Sequence, residues 1–183
     1  MGLPRLNAIG LAALATRQLF NVPDVTADST LAAAMVHPDV SLEEDFMIAT
    51  VLDAYPTPPC AVHLGLDIIE ANPEAGTVRI RFQARPEFLN ASGTVQGGFL
   101  AAMLDDTIGP AVLITTRAKR LPVTIGLTIT YLAPAKAGPI IGHGIVRKLG
   151  KSIGYVEASL KTEDGEEIAH AVSNVRLVDM PLP

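Results

Sequence analysis

Strict alternation of polar and apolar side chains marks the C-terminal two thirds of the chain. In residues 77–82, valine, isoleucine and phenylalanine alternate with threonine and arginine, which predicts a half-buried β-strand. In residues 124–131, Ile125, Leu127 and Ile129 alternate with threonine and glycine, which predicts another strand. Shorter or less regular apolar runs predict further strands at 64–70, 139–148, 153–161 and 166–177. Residues 72–76 are expected to form a turn, and Asp164-Gly165 a hairpin.

One segment lacks this alternation. Residues 97–116 consist mostly of alanine, leucine, methionine, isoleucine and valine, and the run is too long for a strand. We expect a buried helix that bends or breaks near Pro110, because proline cannot donate a hydrogen bond to the carbonyl of Asp106. A single apolar helix must be covered on most sides, and a curved antiparallel sheet wrapped around it would do so. The pattern therefore predicts an α+β fold.

The first 60 residues have a different pattern. Residues 1–55 are expected to form short helices, with Ser29 or Thr30 capping one helix and Ser41 with Glu44 forming a capping box for the next. Prolines at positions 56, 58 and 59 then predict a boundary. We therefore expect a helical extension over residues 1–60 and a second domain over residues 61–183.

Composition restricts the function classes. The chain has 183 residues, of which 49% are hydrophobic and 18% charged, and the formal net charge is −5, so a basic nucleic-acid surface is not expected. The single cysteine, Cys60, excludes an internal disulfide and is expected to be a buried apolar side chain. The four histidines show no spacing typical of metal ligands. Without an unbroken apolar run of about 18 residues or a strong signal peptide, we expect a cytoplasmic protein that does not span a membrane.

The segment from Asn90 to Asp106 contains the candidate chemistry. Gly97 and Gly98 open the predicted helix, where the first backbone N–H groups are free and the helix dipole is positive. Glycine lets a ligand approach the backbone closely. Such an amide can bind a carbonyl oxygen that becomes negative during acyl transfer, although tight helix packing would also explain the two glycines.

Two adjacent carboxylates, Asp105 and Asp106, lie inside the same apolar helix. A buried carboxylate is costly, so such groups are normally paired, solvated or functional. Successive helical residues differ by about 100°, so one carboxylate can face a cleft while the other bonds elsewhere. Gly97 and Asp105 are eight residues apart in the sequence, which is roughly 12 Å along a helix. One carbonyl can contact both only if two antiparallel copies of the helix meet in a symmetric dimer.

This segment resembles the signature of the PaaI-like acyl-CoA thioesterases of the hotdog superfamily. That signature has an asparagine, a glycine, a His-Gly-Gly and then an acidic residue in the helix. The resemblance extends from about Leu64 to Val178 and includes the threonine-rich strand that ends at Tyr131 and the loop 147–152. It implies a hotdog fold, hydrolysis of an acyl-CoA thioester, and a homo-oligomer that is a dimer or a dimer of dimers. It implies no metal or cofactor, since coenzyme A enters as part of the substrate.

The resemblance also implies roles for individual residues. Asp105 matches the catalytic carboxylate, acting as general base or nucleophile, and is preferred to Asp106 because of its register with the signature. The N–H of Gly97 matches the donor to the carbonyl, with Gly98 beside it. Asn90 matches a side chain that holds the thioester or water, and Thr124 one that orients the water. The residues that match contacts to coenzyme A are Arg147, Lys148, Gly150, Lys151 and Ser152.

Gln96 departs from the signature, because the family has a histidine there and a glutamine amide cannot act as acid or base. Two alternatives therefore stay open beside the thioesterase: a hotdog protein that binds acyl-CoA without hydrolysing it, and a dehydratase or hydratase. The second requires an acid–base pair, usually with histidine, and the signature segment contains none. Residues 1–60 are outside the resemblance, and we hypothesise that they cover an acyl tunnel or extend the oligomer interface.

Overall fold

The computed structural model describes residues 57–180, which form one antiparallel sheet around one long helix. The helices are α1 (Pro59–Leu64) and α2 (Gly97–Thr115), and a short 3-10 turn covers Pro86–Phe88. The strands are β1 (Asp67–Asn72), β2 (Thr77–Ala84), β3 (Arg120–Tyr131), β4 (Gly138–Leu149), β5 (Ile153–Lys161) and β6 (Glu167–Asp179). The strand order is β1-β2-β4-β5-β6-β3, so β1 and β3 are the two edges.

The core lies between the inner face of the sheet and α2, which contacts all six strands. Met103, Leu104, Ile108 and Val112 are fully buried on the covered side of the helix. The inner face of the sheet meets them with alternate residues, among which Ile80, Phe82 and Leu160 are also fully buried. This arrangement is the hotdog fold, so the predicted fold class is confirmed.

Two glycines of β4 bring the helix close to the sheet. A Cβ atom on Gly142 would lie 2.5 Å from Oγ1 of Thr107, and one on Gly144 would lie 3.0 Å from its carbonyl oxygen. Thr107 is fully buried, and its hydroxyl donates to the carbonyl of Met103 at 2.7 Å. The middle of α2 therefore rests directly on the backbone of β4, which fixes the distance from the sheet of the helical turn that contains both Thr107 and Asp105.

Three expectations about the helices need correction. Helix α2 does not break at Pro110 but continues to Thr115, because Ile108, Ala111 and Val112 on either side of the proline are held in the core. No helix is predicted at the prolines before residue 60, but Pro59 is the first residue of α1, a position where proline is favoured; the boundary itself stays a prediction. Cys60 is exposed rather than buried, because the short helix turns Ala61 and Leu64 toward the core.

Helix α2 is long and apolar enough to cross a membrane by composition alone, but in this fold it is the helix that the sheet covers. The helices predicted between residues 1 and 55 lie outside the described residues, as does most of the predicted extension over residues 1–60.

Candidate active site

The loop before α2 is held by the side chain of Asn90. Its Oδ1 accepts hydrogen bonds from the N–H of Ser92 at 2.9 Å and of Thr94 at 3.3 Å, and its Nδ2 donates to the hydroxyl of Thr94 at 3.1 Å. At the end of the loop, the N–H of Val95 donates to the carbonyl of Ala135 at 2.8 Å. Asn90 therefore shapes the loop that delivers the start of the helix, and its predicted contact with a thioester or water stays a prediction.

Gln96 is the N-cap of α2. Its Oε1 accepts a hydrogen bond from the N–H of Gly98 at 2.6 Å, which satisfies one of the free amides of the first turn. A Cβ atom on Gly98 would lie 2.6 Å from that same oxygen, so any larger residue there would displace the Gln96 side chain from its capping position. The structure thus gives the residue that departs from the family signature a definite local function.

Gly97 is left with an unused amide. Its carbonyl accepts a hydrogen bond from the hydroxyl of Tyr131 at 2.8 Å, but within residues 57–180 no acceptor takes its N–H. Tyr131 and Gly97 also border an open groove of about 320 Å³, whose other walls are mainly apolar. The sequence-based reasoning did not select Tyr131 as a site residue; the only signal was its position at the end of the threonine-rich strand.

A β-bulge in β3 directs Thr124 toward α2. Simple alternation would place Thr124 on the same face as Thr128 and Thr130, away from the helix. The register of β3 against β6 shifts between Thr124 and Gly126, so Thr124 and Leu127 lie on one face. The hydroxyl of Thr124 consequently donates to Oδ1 of Asp105 at 2.8 Å. The structure therefore brings together two of the predicted catalytic residues, one from the helix and one from the edge strand.

Asp106 is in a different environment from Asp105. Its Oδ2 is buried and has no hydrogen-bond partner among the described residues. Burial, and to a smaller extent the neighbouring charge of Asp105, raise the pKa of Asp106 above its ordinary value of 3.8. Asp105, held at one oxygen by Thr124, makes no hydrogen bond with its Oδ2 inside the described part of the chain, and that oxygen is available for a reaction.

The predicted coenzyme A loop lies far from Gly97 in the same chain. The carbonyl of Lys151 accepts from Arg120 at 3.0 Å, and the carbonyl of Ser152 accepts from the N–H of Leu177 at 2.8 Å. Arg120 begins β3 and Tyr131 ends it, and twelve strand residues span roughly 35 Å. The loop and Gly97 therefore lie at opposite ends of the molecule. Arg147 precedes the loop, within β4, and its guanidinium is bound by Glu157 at 2.7 and 2.9 Å.

The candidate residues thus form three groups along the axis of α2: the amide at its start, the carboxylate with its threonine near the middle, and the basic loop beyond its end. Within residues 57–180, no cluster of three or more histidine, cysteine, aspartate or glutamate side chains has an arrangement that would hold a metal ion.

Comparison with known proteins identifies the family. A family model described as the thioesterase superfamily matches residues 92–169. A phenylacetic acid degradation-related protein from Ralstonia eutropha JMP134 is 31% identical, and the structural match, with a TM-score of 0.66, covers 72% of this chain and 98% of that one. This chain belongs to the thioesterase superfamily.

Two further proteins are similar to this chain, one in sequence and one in fold. Human acyl-coenzyme A thioesterase 13 is 32% identical over 96 residues, which is 52% of this chain and 66% of that protein. The PaaI protein from the phenylacetic acid degradation operon of E. coli is 20% identical, with a TM-score of 0.66 over 77% of this chain and 98% of that one, and shares the fold. The predicted PaaI-like resemblance is confirmed, and the chain is an enzyme whose reaction class is thioester hydrolysis.

Proposed function

We propose that the chain hydrolyses acyl-CoA thioesters at two composite sites of a homodimer, each built from Gly97 of one copy and Asp105 of the other. The observation that carries this proposal is the pair of unused groups on one helix: the N–H of Gly97 and Oδ2 of Asp105. They are separated by about 12 Å, so they cannot act on one carbonyl within a single copy. Two antiparallel copies of α2 related by a two-fold axis would place each amide opposite a carboxylate.

The uncovered side of α2 is suited to such a contact. Gly98, Ala102 and Gly109 lie on the side that the sheet does not bury, on either side of Asp105. Small residues let two helix backbones approach closely, which a shared catalytic cleft requires. The same side of α2 carries no lysine or arginine that would pair with the carboxylate of Asp105.

Strand β3 supplies a second argument for a partner copy. It is an edge strand with unpaired backbone groups, and Val123 and Ile125, on either side of Thr124, are 47% and 60% exposed. An exposed apolar edge strand tends to pair with another strand. Pairing of β3 with β3 of a second copy would join two sheets beside the two antiparallel helices and cover this edge.

The chemistry follows from the groups at each composite site. The N–H of Gly97 donates to the thioester carbonyl oxygen and stabilises the negative charge that develops there. Oδ2 of Asp105 removes a proton from water, whose oxygen attacks the carbonyl carbon, while Thr124 fixes the other carboxylate oxygen. The tetrahedral intermediate then expels the coenzyme A thiolate, which recovers the proton from Asp105. In the alternative route, Oδ2 of Asp105 attacks the carbonyl carbon itself, the C–S bond breaks to release the coenzyme A thiolate, and water hydrolyses the resulting mixed anhydride.

The antiparallel arrangement also accounts for the distant basic loop. Since the loop lies beyond the end of α2 in its own chain, the partner's loop would lie near the start of α2, beside Gly97. Lys148 and Lys151 are exposed and would contact the phosphates of coenzyme A. Arg147 would have to leave Glu157 to join them.

Thiol release from a panel of short, medium, long and aromatic acyl-CoAs tests the activity. Asp105→Asn should abolish hydrolysis while the fold is retained. Gly97→Pro should act similarly, because proline at the first helical position replaces the amide hydrogen with a ring carbon, and the extended conformation of Gln96 accepts a following proline. Gly97→Ala is the matched control: it has the same Cβ against Tyr131 but keeps the N–H.

Mixed dimers test the shared site. Asp105→Asn and Gly97→Pro subunits are each inactive alone, but a dimer of one with the other contains one intact site. Random mixing should restore about a quarter of the wild-type activity. A mixture that stays inactive although mass measurement shows mixed dimers would refute the shared site, as would a fully active monomer.

An acyl-CoA-binding protein without turnover is the alternative outcome, because the glutamine at position 96 cannot transfer a proton. Tight binding of acyl-CoA by a wild-type protein that hydrolyses no member of the panel would establish that alternative.

A further inference from the structure

The peptide group between Gly97 and Gly98 is held at both of its polar ends. Its carbonyl oxygen accepts from Oη of Tyr131 at 2.8 Å, and its N–H, that of Gly98, donates to Oε1 of Gln96 at 2.6 Å. We refer to these two contacts as the Gly97–Gly98 clamp. The ring of Tyr131 also covers Gly97, since a Cβ there would lie 3.3–3.5 Å from three of its atoms.

A clamp at this position has a physical purpose. Amides in the first turn of a helix have no intrahelical acceptor, so their peptide planes tilt more easily than those farther along. Two consecutive glycines, without side chains, widen the range of tilts further. A donor that stabilises a transition state must already point at the oxygen when charge develops, and a small misorientation removes much of its effect.

The clamp also selects one donor. The N–H of Gly98 is used by the cap, whereas the N–H of Gly97 is free within the described chain. Tyr131 itself is anchored at the end of β3 opposite Ala169, and the next residue, Leu132, donates to the carbonyl of Ile168 at 2.9 Å. The backbone that carries the hydroxyl is therefore held by strand pairing, although the side chain itself is half exposed.

We propose that Tyr131 is a positioning residue for the reaction: its hydroxyl fixes the Gly97–Gly98 peptide and so limits rotation about the backbone of Gly97, whose N–H, in the adjoining Gln96–Gly97 peptide, then stays directed at the substrate carbonyl. The proposal rests on the function proposed above, in which that amide binds the thioester oxygen. Tyr131 acts through Gly97 and takes no part in proton transfer.

Tyr131→Phe tests this because it removes the hydroxyl and keeps the ring that packs on Gly97. We expect kcat for the acyl-CoA that the wild type hydrolyses fastest to fall about tenfold, with KM nearly unchanged. Tyr155→Phe is the matched control: Tyr155 is 53% exposed and Tyr131 51%, but Tyr155 lies on β5. The control should keep wild-type kcat and KM.

A spectroscopic measurement separates positioning from general damage. The ketone analogue of the same acyl-CoA, with a methylene in place of sulfur, cannot be hydrolysed, and the infrared frequency of its bound carbonyl reports the hydrogen bond from Gly97. We expect that frequency to be lowered on binding to the wild type and to Tyr155→Phe, and to return most of the way to its free value in Tyr131→Phe. An unchanged frequency together with an unchanged kcat would overturn the proposal.

Backbone NMR relaxation reports the clamp independently of turnover. The order parameters of the Gly97 and Gly98 amides should fall in Tyr131→Phe and stay unchanged in Tyr155→Phe. If the wild type hydrolyses no acyl-CoA but the order parameters fall as expected, the proposed function fails while the clamp stands. If the wild type is active and Tyr131→Phe alters neither the order parameters nor kcat, the clamp fails while the function stands.

Discussion

Gln96 shows how a departure from a family signature can keep part of a local function. An amide cannot exchange protons as an imidazole does, but it can accept a hydrogen bond, and Gln96 uses that capacity to cap α2 through the N–H of Gly98. The position precedes the proposed carbonyl donor by one residue. Its side chain therefore affects both the stability of the helix start and the electrostatic field at the reaction centre.

Substitution of Gln96 should separate these two effects. Gln96→Ala removes the cap, and we expect a loss of about 1 kcal/mol in the free energy of unfolding. Gln96→Glu keeps an acceptor and adds a negative charge that a helix start favours, so stability should be preserved or slightly raised. The same charge opposes the developing oxyanion, so kcat should fall more for Gln96→Glu than for Gln96→Ala. Urea unfolding and steady-state kinetics on both variants check this; equal kcat values would contradict it.

Asp106 should make stability depend on pH. Because burial, followed by the charge of Asp105, raises its pKa in the folded state, its contribution to stability is full below the ordinary value of 3.8 and is lost as pH rises through the raised value. Asp106→Asn should therefore raise Tm at pH 7, by roughly 2–4 °C, with the difference vanishing near pH 4. Thermal unfolding at both pH values measures it. If Asp106→Asn is less stable than the wild type at pH 7, the folded protein stabilises the charged carboxylate of Asp106 instead of opposing it.

At the scale of elements, the contact between α2 and β4 depends on a missing side chain. A Cβ on Gly144 would lie 2.9 Å from Val78, 3.0 Å from the carbonyl of Thr107 and 3.2 Å from Ala111. Gly144→Ala should destabilise the fold by about 1–3 kcal/mol through overpacking. Gly126→Ala is the control, since a Cβ there meets nothing within 4 Å. Denaturant unfolding compares the two, and equal stability would show that the helix can shift away from the sheet.

The elements themselves were largely predictable. The alternation in residues 77–82 and the apolar run after Gly97 gave β2 and α2 within a few residues, since period and length distinguish strands from a buried helix. Helix α1 was missed because its prolines were interpreted only as a boundary. The bulge in β3 could not be predicted, because alternation carries no signal for an extra residue, and it reverses the face of Thr124.

The candidate site was predictable to a similar extent. Gly97 and Asp105 can be selected as candidate site residues from local sequence patterns, namely glycines at a helix start and a carboxylate in an apolar helix. The family resemblance implied separate roles for Asp105 and Thr124, and the hydrogen bond between them is apparent only in the folded chain. The contact between Tyr131 and Gly97 joins residues 34 positions apart, and neither residue alone indicates it.

At the scale of the whole molecule, one polar row crosses the outer face of the sheet. Register pairs place one residue on each strand in the order Glu70, Arg79, His143, Ser159, His170 and Thr130. The first five border an outer cavity of about 460 Å³. The row thus links both edges of the sheet on the side away from α2.

His143 should weaken the fold at acidic pH. Partial burial, then the charges of Arg79 and Lys161, lower its pKa below 6.5, against a smaller opposing effect of Glu70. His143 therefore binds a proton more readily in the unfolded chain than in the folded one, and the free energy of unfolding falls as pH falls below about 6.5. His143→Gln should reduce the difference in urea midpoint between pH 7.5 and pH 5, whereas His170→Gln on the same row should preserve it. If His143→Gln leaves the difference in urea midpoint between the two pH values unchanged, groups other than His143 cause the acid sensitivity.

In the proposed dimer, the placement of both reactive groups on one helix restricts how this chain can evolve. Inserting one residue between Gly97 and Asp105 would rotate the carboxylate by about 100°, and the two-fold symmetry would repeat that error in the other active site. The separation of eight residues from Gly97 to Asp105 is therefore expected to persist in any active descendant, even where the side chains between them are replaced.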